Sequence, residues 1–387
     1  MEERGKVETL SLLGGPLHQL GCRLGLVRRG TNTLGLGLAL GVGLWTILVA
    51  LAFIEGVSHR LFSLSVIGAH VRLLVAIPLF FLCETWLSPR LTIFASTIVR
   101  SGVVPEHRLP ALESEITHTA RWAASWLPEV LCLLVAVLVS PIGLQVGLSG
   151  ATATYAPGRG AAGATLTGLW YWAVCLTLFR FLILRWIWRL GLWSYFLWRV
   201  AKLELHLVPT HPDGRGGLGY LEVVHTQFTP MVLAISAVQA ASFAEEISSG
   251  TMTFGAIYPA LALVLVADAV LFLAPLLIFT PKLRACRLKG LSDYMEFAGS
   301  YVTGFDKKWL GSRTANEEHL LGTPDLQSLA DLANSVNIVR DMRLVPVTLR
   351  TLTGFAIAAL LPVLPLLLLK YPIAELTEKF LTRLAGL

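Results

Sequence analysis

Two Glu-x-x-His strings are the first candidates for chemistry in this chain of 387 residues. Glu115 and His118 form one string, and Glu222 and His225 form the other. Residues i and i+3 share a helix face, and paired strings of this kind bind metals in di-iron helical bundles. The spacing therefore predicts a divalent-metal site, although no cofactor is certain. The alternative interpretation is that both glutamates pair with nearby arginines at the protein surface.

The most distinctive string in the chain is HPDGRGGLGYLE, residues 211–222. Its glycines permit left-handed backbone conformations and close approach of the chain to another group. It matches neither a P-loop nor a dinucleotide fingerprint, because it has no GK[ST] and follows no predicted strand. Two interpretations remain open: a tight linker packed on the protein, or a loop that contacts a cation, a phosphate or a substrate. The candidate contact residues are His211, Asp213, Arg215, Gly216, Gly217, Gly219 and Glu222.

Two ionisable residues lie deep inside apolar stretches, Asp268 and Arg180. Each one costs about 2.5–3.5 kcal/mol when it enters hydrocarbon alone. We therefore expect them to pair with each other or to line a wet cavity. A structural ion pair and a proton or ion pathway are both compatible with this pattern. Five polar residues nearer the ends of apolar stretches could extend such a pathway: His70, Arg72, Glu84, Glu129 and Gln239.

The composition places these residues in a membrane protein. Of all residues, 55% are hydrophobic and 14% are charged, with a mean hydropathy of +0.67. Soluble domains carry roughly 25% charged residues, so this chain needs the lipid bilayer as part of its solvent. The net charge of +6 fits basic cytoplasmic loops, and nucleic acid is not an expected partner. Five cysteines without a CxxC spacing indicate neither a disulfide framework nor a zinc ribbon.

Seven apolar stretches approach the roughly 20 residues that a membrane-spanning helix needs. They cover residues 34–54, 63–86, 128–148, 165–184, 226–245, 256–280 and 349–369. The predicted fold class is an all-α integral membrane protein, a polytopic bundle of about seven transmembrane helices. The number is six if the last stretch is a re-entrant hairpin broken at Pro362 and Pro365. In the first stretch, Gly37-xxx-Gly41 predicts close helix packing, either within the chain or between copies.

Most lysines and arginines fall in alternate loops, which predicts a cytoplasmic N-terminus and a periplasmic C-terminus. The chain then divides into four parts. They are a cytoplasmic N-terminal segment (1–33), a membrane domain (34–280) with cytoplasmic loops 87–127 and 185–225, a cytoplasmic helical loop (281–348), and the last span with a short tail (349–387).

Two strings resemble an uncharacterised family of bacterial multi-pass inner-membrane proteins that share an HPDxxGGLGxLE loop. The strings are HPDGRGGLGYLE and the later PDLQSLADLANSVNIVRDMRLVPVT. The resemblance covers roughly residue 170 to the end of the last apolar stretch. It implies a location in the bacterial inner membrane, and it carries no activity, substrate or catalytic residue.

The leading functional hypothesis is a transmembrane pathway for an ion or a small solute. It depends on the charged residues in apolar stretches and on the glycine-rich loop. One alternative is a membrane-embedded metalloenzyme that uses the paired Glu-x-x-His strings, so enzymatic activity stays open. The other alternative is a non-catalytic subunit or scaffold, in which residues 281–348 bind a cytoplasmic partner or a second copy. The chain has no HExxH and no P-loop, which disfavours zinc proteolysis and nucleotide hydrolysis.

Overall fold

All the regular elements in the described part of the chain are helices. The computed structural model describes residues 10–27, 31–146, 165–310 and 323–367. The remaining parts of the N-terminal segment, the loop 147–164, the stretch 311–322 and the tail from residue 368 lie outside the described residues. The main helices are α1 (Pro16–Arg23), α2 (Leu34–Ile54), α3 (Leu64–Arg100), α4 (Glu106–Ala124), α5 (Trp126–Val146), α6 (Leu166–Lys202), α7 (Tyr220–Ser248), α8 (Phe254–Leu310), α9 (Pro324–Arg340) and α10 (Leu349–Val363).

Five of these helices are long and apolar enough to cross a membrane: α2, α3, α6, α7 and α8. A sixth span forms if α4 and α5, which meet at an angle of 44°, are taken together. The predicted all-α membrane bundle is therefore confirmed. The first predicted stretch, 34–54, coincides with α2, because an uninterrupted apolar run gives both the helix and its limits.

The expected seventh span is a shorter helix than the sequence suggested. From Leu349 to Val363, α10 reaches about 22 Å, whereas the hydrocarbon core is about 30 Å thick. Its regular α-helix ends at Leu360, just before Pro362, which lacks the N–H that a helix interior needs. A continuous helix over 349–369 is therefore wrong, and residues 368 and 369 lie outside the described residues.

The bundle is built around α3 and α7. In their most apolar windows, 61% and 56% of the residues are buried, against 22% in α2 and in α8. Helix α3 packs against α2 and α7, while α6 packs against α4 and α5. The apolar surfaces of α2 and α8 thus remain available to lipid.

The close approach of α2 to α3 depends on the two glycines of the predicted small-residue pattern. A Cβ at Gly37 would lie 2.7 Å from the Cβ of Phe81, and one at Gly41 would overlap the carbonyl oxygen of Leu73. The Gly37-xxx-Gly41 contact is therefore made within the chain.

Helix α8 is far longer than a membrane is thick. Its 57 residues correspond to about 85 Å, so its C-terminal part extends beyond the bundle. Helix α9 packs against this extension and forms a two-helix arm with it. The arm lies within the region 281–348 that the sequence suggested as a helical loop.

Candidate functional site

Four charged side chains from three helices form a buried group, here called the Arg185 cluster: Arg185 and Arg189 of α6, Glu84 of α3 and Glu129 of α5. Arg185 donates from Nε to Oε1 of Glu129 at 2.7 Å and from Nη1 to Oε1 of Glu84. Nη1 of Arg189 lies 2.5 Å from the same oxygen of Glu84. All four residues are less than 10% exposed. The cluster therefore links three helices through charges that balance one another.

The Arg185 cluster retains unused hydrogen-bonding capacity. Nη2 of Arg185, Nη2 of Arg189, Nε1 of Trp186 and Oε2 of Glu84 are buried without a hydrogen-bond partner among the described residues. Glu84, Ser88, Trp186 and Arg189 line a cavity of about 10 Å³, roughly the smallest space that holds one water molecule. Buried polar atoms are normally paired, so the unpartnered atoms of the lining residues Glu84, Trp186 and Arg189 indicate a place for a further polar group.

The N-terminal segment forms part of the wall of this cavity. Leu12 and Leu13 line it, and the backbone N–H of Leu17 donates to Oε2 of Glu129 at 2.9 Å. Gly15 has a φ of +85°, and a Cβ there would overlap the carboxylate of Glu129. Partial burial lowers the pKa of His18, although the charge of Glu84 acts in the opposite direction. Residues 10–18 thus lie directly against the cluster.

A second buried polar group, here called the Arg72 cluster, joins α3, α6 and α7. Arg72 donates from Nη1 to the hydroxyl of Tyr171 at 2.9 Å and from Nη2 to Oγ of Ser242 at 3.3 Å. Glu245 accepts a hydrogen bond from the backbone N–H of Gly68 at 2.7 Å. A Cβ at Gly68 would lie 2.7 Å from Glu245 and 2.8 Å from Arg72, so glycine lets the backbone reach both charges.

The Arg72 cluster coincides with two irregular helical turns. Val71–Ala76 of α3 and Tyr171–Cys175 of α6 are both π-helical, and they carry Arg72 and Tyr171 respectively. Such turns are rare and occur frequently at functional sites. A hydrogen bond between Arg72 and Tyr171 joins these two turns.

An apolar layer separates the two clusters. Twelve positions along α3 separate Arg72 from Glu84, which is about 18 Å of helix. Between them, Phe80 stacks on Phe179 of α6 with ring centroids 5.9 Å apart, and both rings are buried. Helices α3 and α6 therefore share two polar clusters at different depths, and the buried contact between Phe80 and Phe179 lies between these clusters.

The loop 211–222 uses its polar groups within the chain. Asp213 accepts hydrogen bonds from the backbone N–H groups of Arg215 at 2.8 Å, Gly217 at 3.1 Å and Gly219 at 2.7 Å. Nδ1 of His211 lies 2.8 Å from the same carboxylate. Partial burial opposes these hydrogen bonds, but together they lower the pKa of Asp213.

Glu222 connects this loop to the start of α10. One of its oxygens lies 2.6 Å from Nη2 of Arg215. The other accepts the backbone N–H of Thr348 at 2.7 Å and the hydroxyls of Thr348 and Thr351. Gly216 has a φ of +64° and packs beside Met342, which lies between α9 and α10. These contacts favour the tight linker over the ligand-binding loop.

The two Glu-x-x-His strings lie in separate networks. Nε of Arg199 donates to Glu115 at 2.9 Å, and Nε1 of Trp122 donates to His118 at 3.1 Å. His225 accepts from Nε1 of Trp193 at 3.2 Å and its Nδ1 lies 2.7 Å from the carbonyl oxygen of Phe272. Both glutamates thus pair with arginines, as the alternative interpretation expected, but Glu222 and Arg215 meet in a buried contact and not at the surface. In the described ranges, no three His, Cys, Asp or Glu residues come together as metal ligands, so the predicted metal site is not assembled.

The structure does not join Asp268 to Arg180. Asp268 of α8 is buried, and its Oδ2 has no hydrogen-bond partner in the part of the chain that is described. Arg180 of α6 instead lies in the electrostatic field of Tyr171 and Arg72. The expected pair is therefore not formed.

The buried arginines of α6 were missed because they fall in a basic stretch that the sequence assigned to a cytoplasmic loop. Arg185 and Arg189 fall in the stretch RWIWRLGLW, which the sequence assigned to the loop 185–225. Helix α6 continues to Lys202, and both arginines are buried within the bundle. Their spacing of four on one helix face, together with Glu84 and Glu129 in other apolar stretches, is the signal that could have revealed them.

The chain is a polytopic helical membrane protein with two buried polar clusters, and comparison with protein-family models, curated proteins and solved structures finds no match.

Proposed function

We propose that this protein forms a transmembrane pathway for an ion or a small solute in the bacterial inner membrane. The observation that carries the proposal is the pair of buried charged clusters at two depths of α3 and α6. The Arg72 cluster and the Arg185 cluster would contact the moving species in turn. The contact between Phe80 and Phe179 would hold the pathway closed between them.

The free-energy cost of burying the charged groups of the two clusters supports this proposal. A buried ion pair often contributes no more stability than well-packed apolar residues of the same volume, so stability alone does not account for it. Ionisable residues within membrane spans commonly mark the routes of ions and substrates. The paired π-helical turns around Arg72 and Tyr171 support the same conclusion, because such turns often accompany function.

We infer the orientation of the protein in the membrane from the distribution of basic residues. Lysines and arginines concentrate in cytoplasmic loops, so we infer a cytoplasmic N-terminus. Residues 10–18 contact the Arg185 cluster, which therefore faces the cytoplasm. The Arg72 cluster then faces the periplasm. The sequence resemblance to bacterial inner-membrane proteins supports the location.

The test is flux through the purified protein in liposomes. Proton flux is followed with an enclosed pH-sensitive dye, and Na⁺, K⁺ and Cl⁻ are exchanged one at a time under an imposed potential. Arg72→Gln should reduce the protein-dependent flux at least tenfold. Arg90→Gln is the matched control, because Arg90 is an exposed arginine on the same helix.

A milder variant separates function from folding. Tyr171→Phe removes only the hydroxyl that Arg72 contacts, so the bundle should assemble and the flux should fall several-fold. Equal flux in wild type, Arg72→Gln and Tyr171→Phe would refute the role of this cluster. Absence of any protein-dependent flux for all these ions would remove simple ion permeation from the proposal.

The two-helix arm favours a second candidate function, a scaffold. Leu288, Met295, Phe297 and Val302 of α8 are more than 40% exposed on an element that extends beyond the bundle. Exposed apolar surface of this kind marks interaction sites. Replacement of residues 291–338 by a short Gly-Ser linker should then abolish co-purification of a partner. This change leaves Leu283, Met342 and Thr348 in place, so the membrane bundle should stay intact.

A further inference from the structure

We propose that the cavity beneath the N-terminal segment binds a neutral amphiphile headed by a hydroxyl group. In this proposal the entrance lies between the N-terminal segment and the bundle, at Leu12 and Leu13, which line the cavity. The ligand is a resident of the cavity beside the Arg185 cluster and is distinct from the ion or solute that crosses the membrane. Its role at that cluster rests on the proposed function. Three features of the described residues carry the inference: the charge balance, the unpartnered polar atoms and the apolar walls.

The charge balance favours a neutral ligand. Arg185 and Arg189 carry two positive charges, and Glu84 and Glu129 carry two negative charges within the same contacts. A further buried anion or cation would have no opposite charge left to offset the loss of its hydration. An uncharged polar group meets no such cost.

The unpartnered atoms fit a group that both donates and accepts a hydrogen bond. Oε2 of Glu84 requires a donor, while Nη2 of Arg189 and Nε1 of Trp186 require an acceptor. A hydroxyl supplies one donor and two acceptor lone pairs, which meets these three needs at once. The hydroxyl of Ser88 also lines the cavity and can share in this network.

The walls fit an alkyl chain. Apart from the polar end, the lining consists of Leu12, Leu13, Leu87, Leu91, Leu190 and Phe228. Burial of apolar surface against such walls is favourable in proportion to the area removed from water. One polar end and a continuous apolar wall together describe a site for an amphiphile.

The N-terminal segment must move before such a ligand enters. The present cavity of about 10 Å³ holds about one water molecule, so an alkyl chain needs the volume of the two leucine side chains. The segment is held by few polar contacts, chiefly Leu17 N–H to Glu129 and the Thr92 hydroxyl to the carbonyl of Leu10 at 3.3 Å. Because only the displaced form binds, the segment lowers the apparent affinity for the ligand.

The experiment uses a diazirine-bearing derivative of 1-decanol and the full chain in lipid nanodiscs. After illumination, labelled peptides are identified by mass spectrometry. Labelling is expected within residues 84–91 and 186–190, and excess 1-decanol should reduce it. Excess decane or decanoate should not, because decane lacks the hydroxyl and decanoate carries a charge.

The matched variants concern leucines of one segment. Leu12→Ala with Leu13→Ala removes the side chains at the entrance and should raise cavity labelling by roughly tenfold, as the competent form becomes more populated. Leu20→Ala with Leu24→Ala is the control, since these leucines are at least half exposed, and it should leave labelling unchanged. Ser88→Leu should fill the cavity and suppress labelling even if the entrance opens.

Three results would overturn the proposal: labelling confined to lipid-facing residues, equal competition by decanoate, or no increase in the Leu12 and Leu13 variant. The first would mean that the cavity holds water only. Flux measured on the same preparations distinguishes the two hypotheses. Lost labelling with intact Arg72-dependent flux refutes the ligand class alone, whereas intact labelling without flux refutes the pathway alone.

Discussion

The Arg185 cluster and the loop 211–222 both enclose charged side chains, but they use different partners. In the cluster, Arg185 contacts Glu84 and Glu129, which lie 101 and 56 residues away along the chain. In the loop, Asp213 contacts backbone N–H groups no more than six residues away. Glu84 in the cluster keeps a carboxylate oxygen without a partner, whereas both carboxylates of the loop are surrounded by donors. In the loop, the buried atoms without a partner are Nε of Arg215 and the hydroxyl of Tyr220.

This difference separates a structural role from a binding role. Local hydrogen bonds fix the conformation of the loop, and Glu222 attaches that conformation to α10. Charges brought together from distant helices, with donors and an acceptor still unused, retain the capacity to bind something else. The more conspicuous sequence string thus marks the more structural of the two regions.

The largest effect is expected for Arg185→Leu. This change leaves Glu84 and Glu129 buried with one arginine between them, and removal of one partner from a buried charge network costs about 3–5 kcal/mol. Thermal unfolding in detergent should show the loss. Arg90→Leu, at an exposed position of α3, should have little effect, and equal losses in the two variants would contradict the buried network.

The next effect concerns the attachment of the loop to α10. Glu222→Gln weakens the contact with Arg215 and the acceptor for Thr348, at a cost of about 1–3 kcal/mol. The protein-dependent flux should remain, because the loop 211–222 has a structural role and does not line the proposed pathway. A variant with full stability and no flux would reverse the assignment and give the loop a direct role.

A pair of glycines in the loop tests its packing. Gly217→Ala places a Cβ 2.5 Å from Cγ2 of Val103 at a φ of +99°, whereas Gly214→Ala places one in open space at a φ of +63°. Both changes should cost about 1–2 kcal/mol from backbone strain, and Gly217→Ala should cost more because of the clash. Equal unfolding temperatures for the two variants would show that Gly217 does not pack tightly against Val103.

The smallest effect is a dependence of stability on pH. Backbone hydrogen bonds lower the pKa of Asp213 below its ordinary value of 3.8, despite the opposing effect of burial. The unfolded chain therefore binds this proton more readily, so the stabilisation is complete above pH 3.8 and is lost as the pH falls through the folded pKa. Asp213→Asn should flatten this part of the stability profile between pH 5 and 3, and an unchanged profile would remove Asp213 from the account.

Local patterns predicted the membrane elements well. An apolar run is a property of neighbouring residues, so α2 appears at the predicted limits. Five further predicted stretches each coincide with part of a helix that is long and apolar enough to cross the membrane, if the bent pair α4 and α5 is taken as one span. The break in α10 at Pro362 also has a local cause, and it shortens a span that composition alone made continuous.

Local patterns predicted the candidate site poorly. The two Glu-x-x-His strings have the spacing of metal ligands, yet Arg199 and Arg215 occupy their glutamates. Arg185 and Arg189 fall in a stretch that the sequence assigned to a cytoplasmic loop, yet they lie in the protein interior. Arg199 lies 84 residues from Glu115, and the partners of Arg185 lie 101 and 56 residues away, so residue type and spacing do not identify these contacts. Only Arg215 is close in sequence to its partner, Glu222.

The sequence by itself determined that this chain is a helical membrane protein and where most of its helices lie, because hydropathy and helix breaking act over a few turns. Only the tertiary structure decided which charges meet, which glycines permit contact and where a cavity remains. Helix packing sets those distances, and a charge in a low-dielectric interior takes whatever partner the packing brings within hydrogen-bonding range.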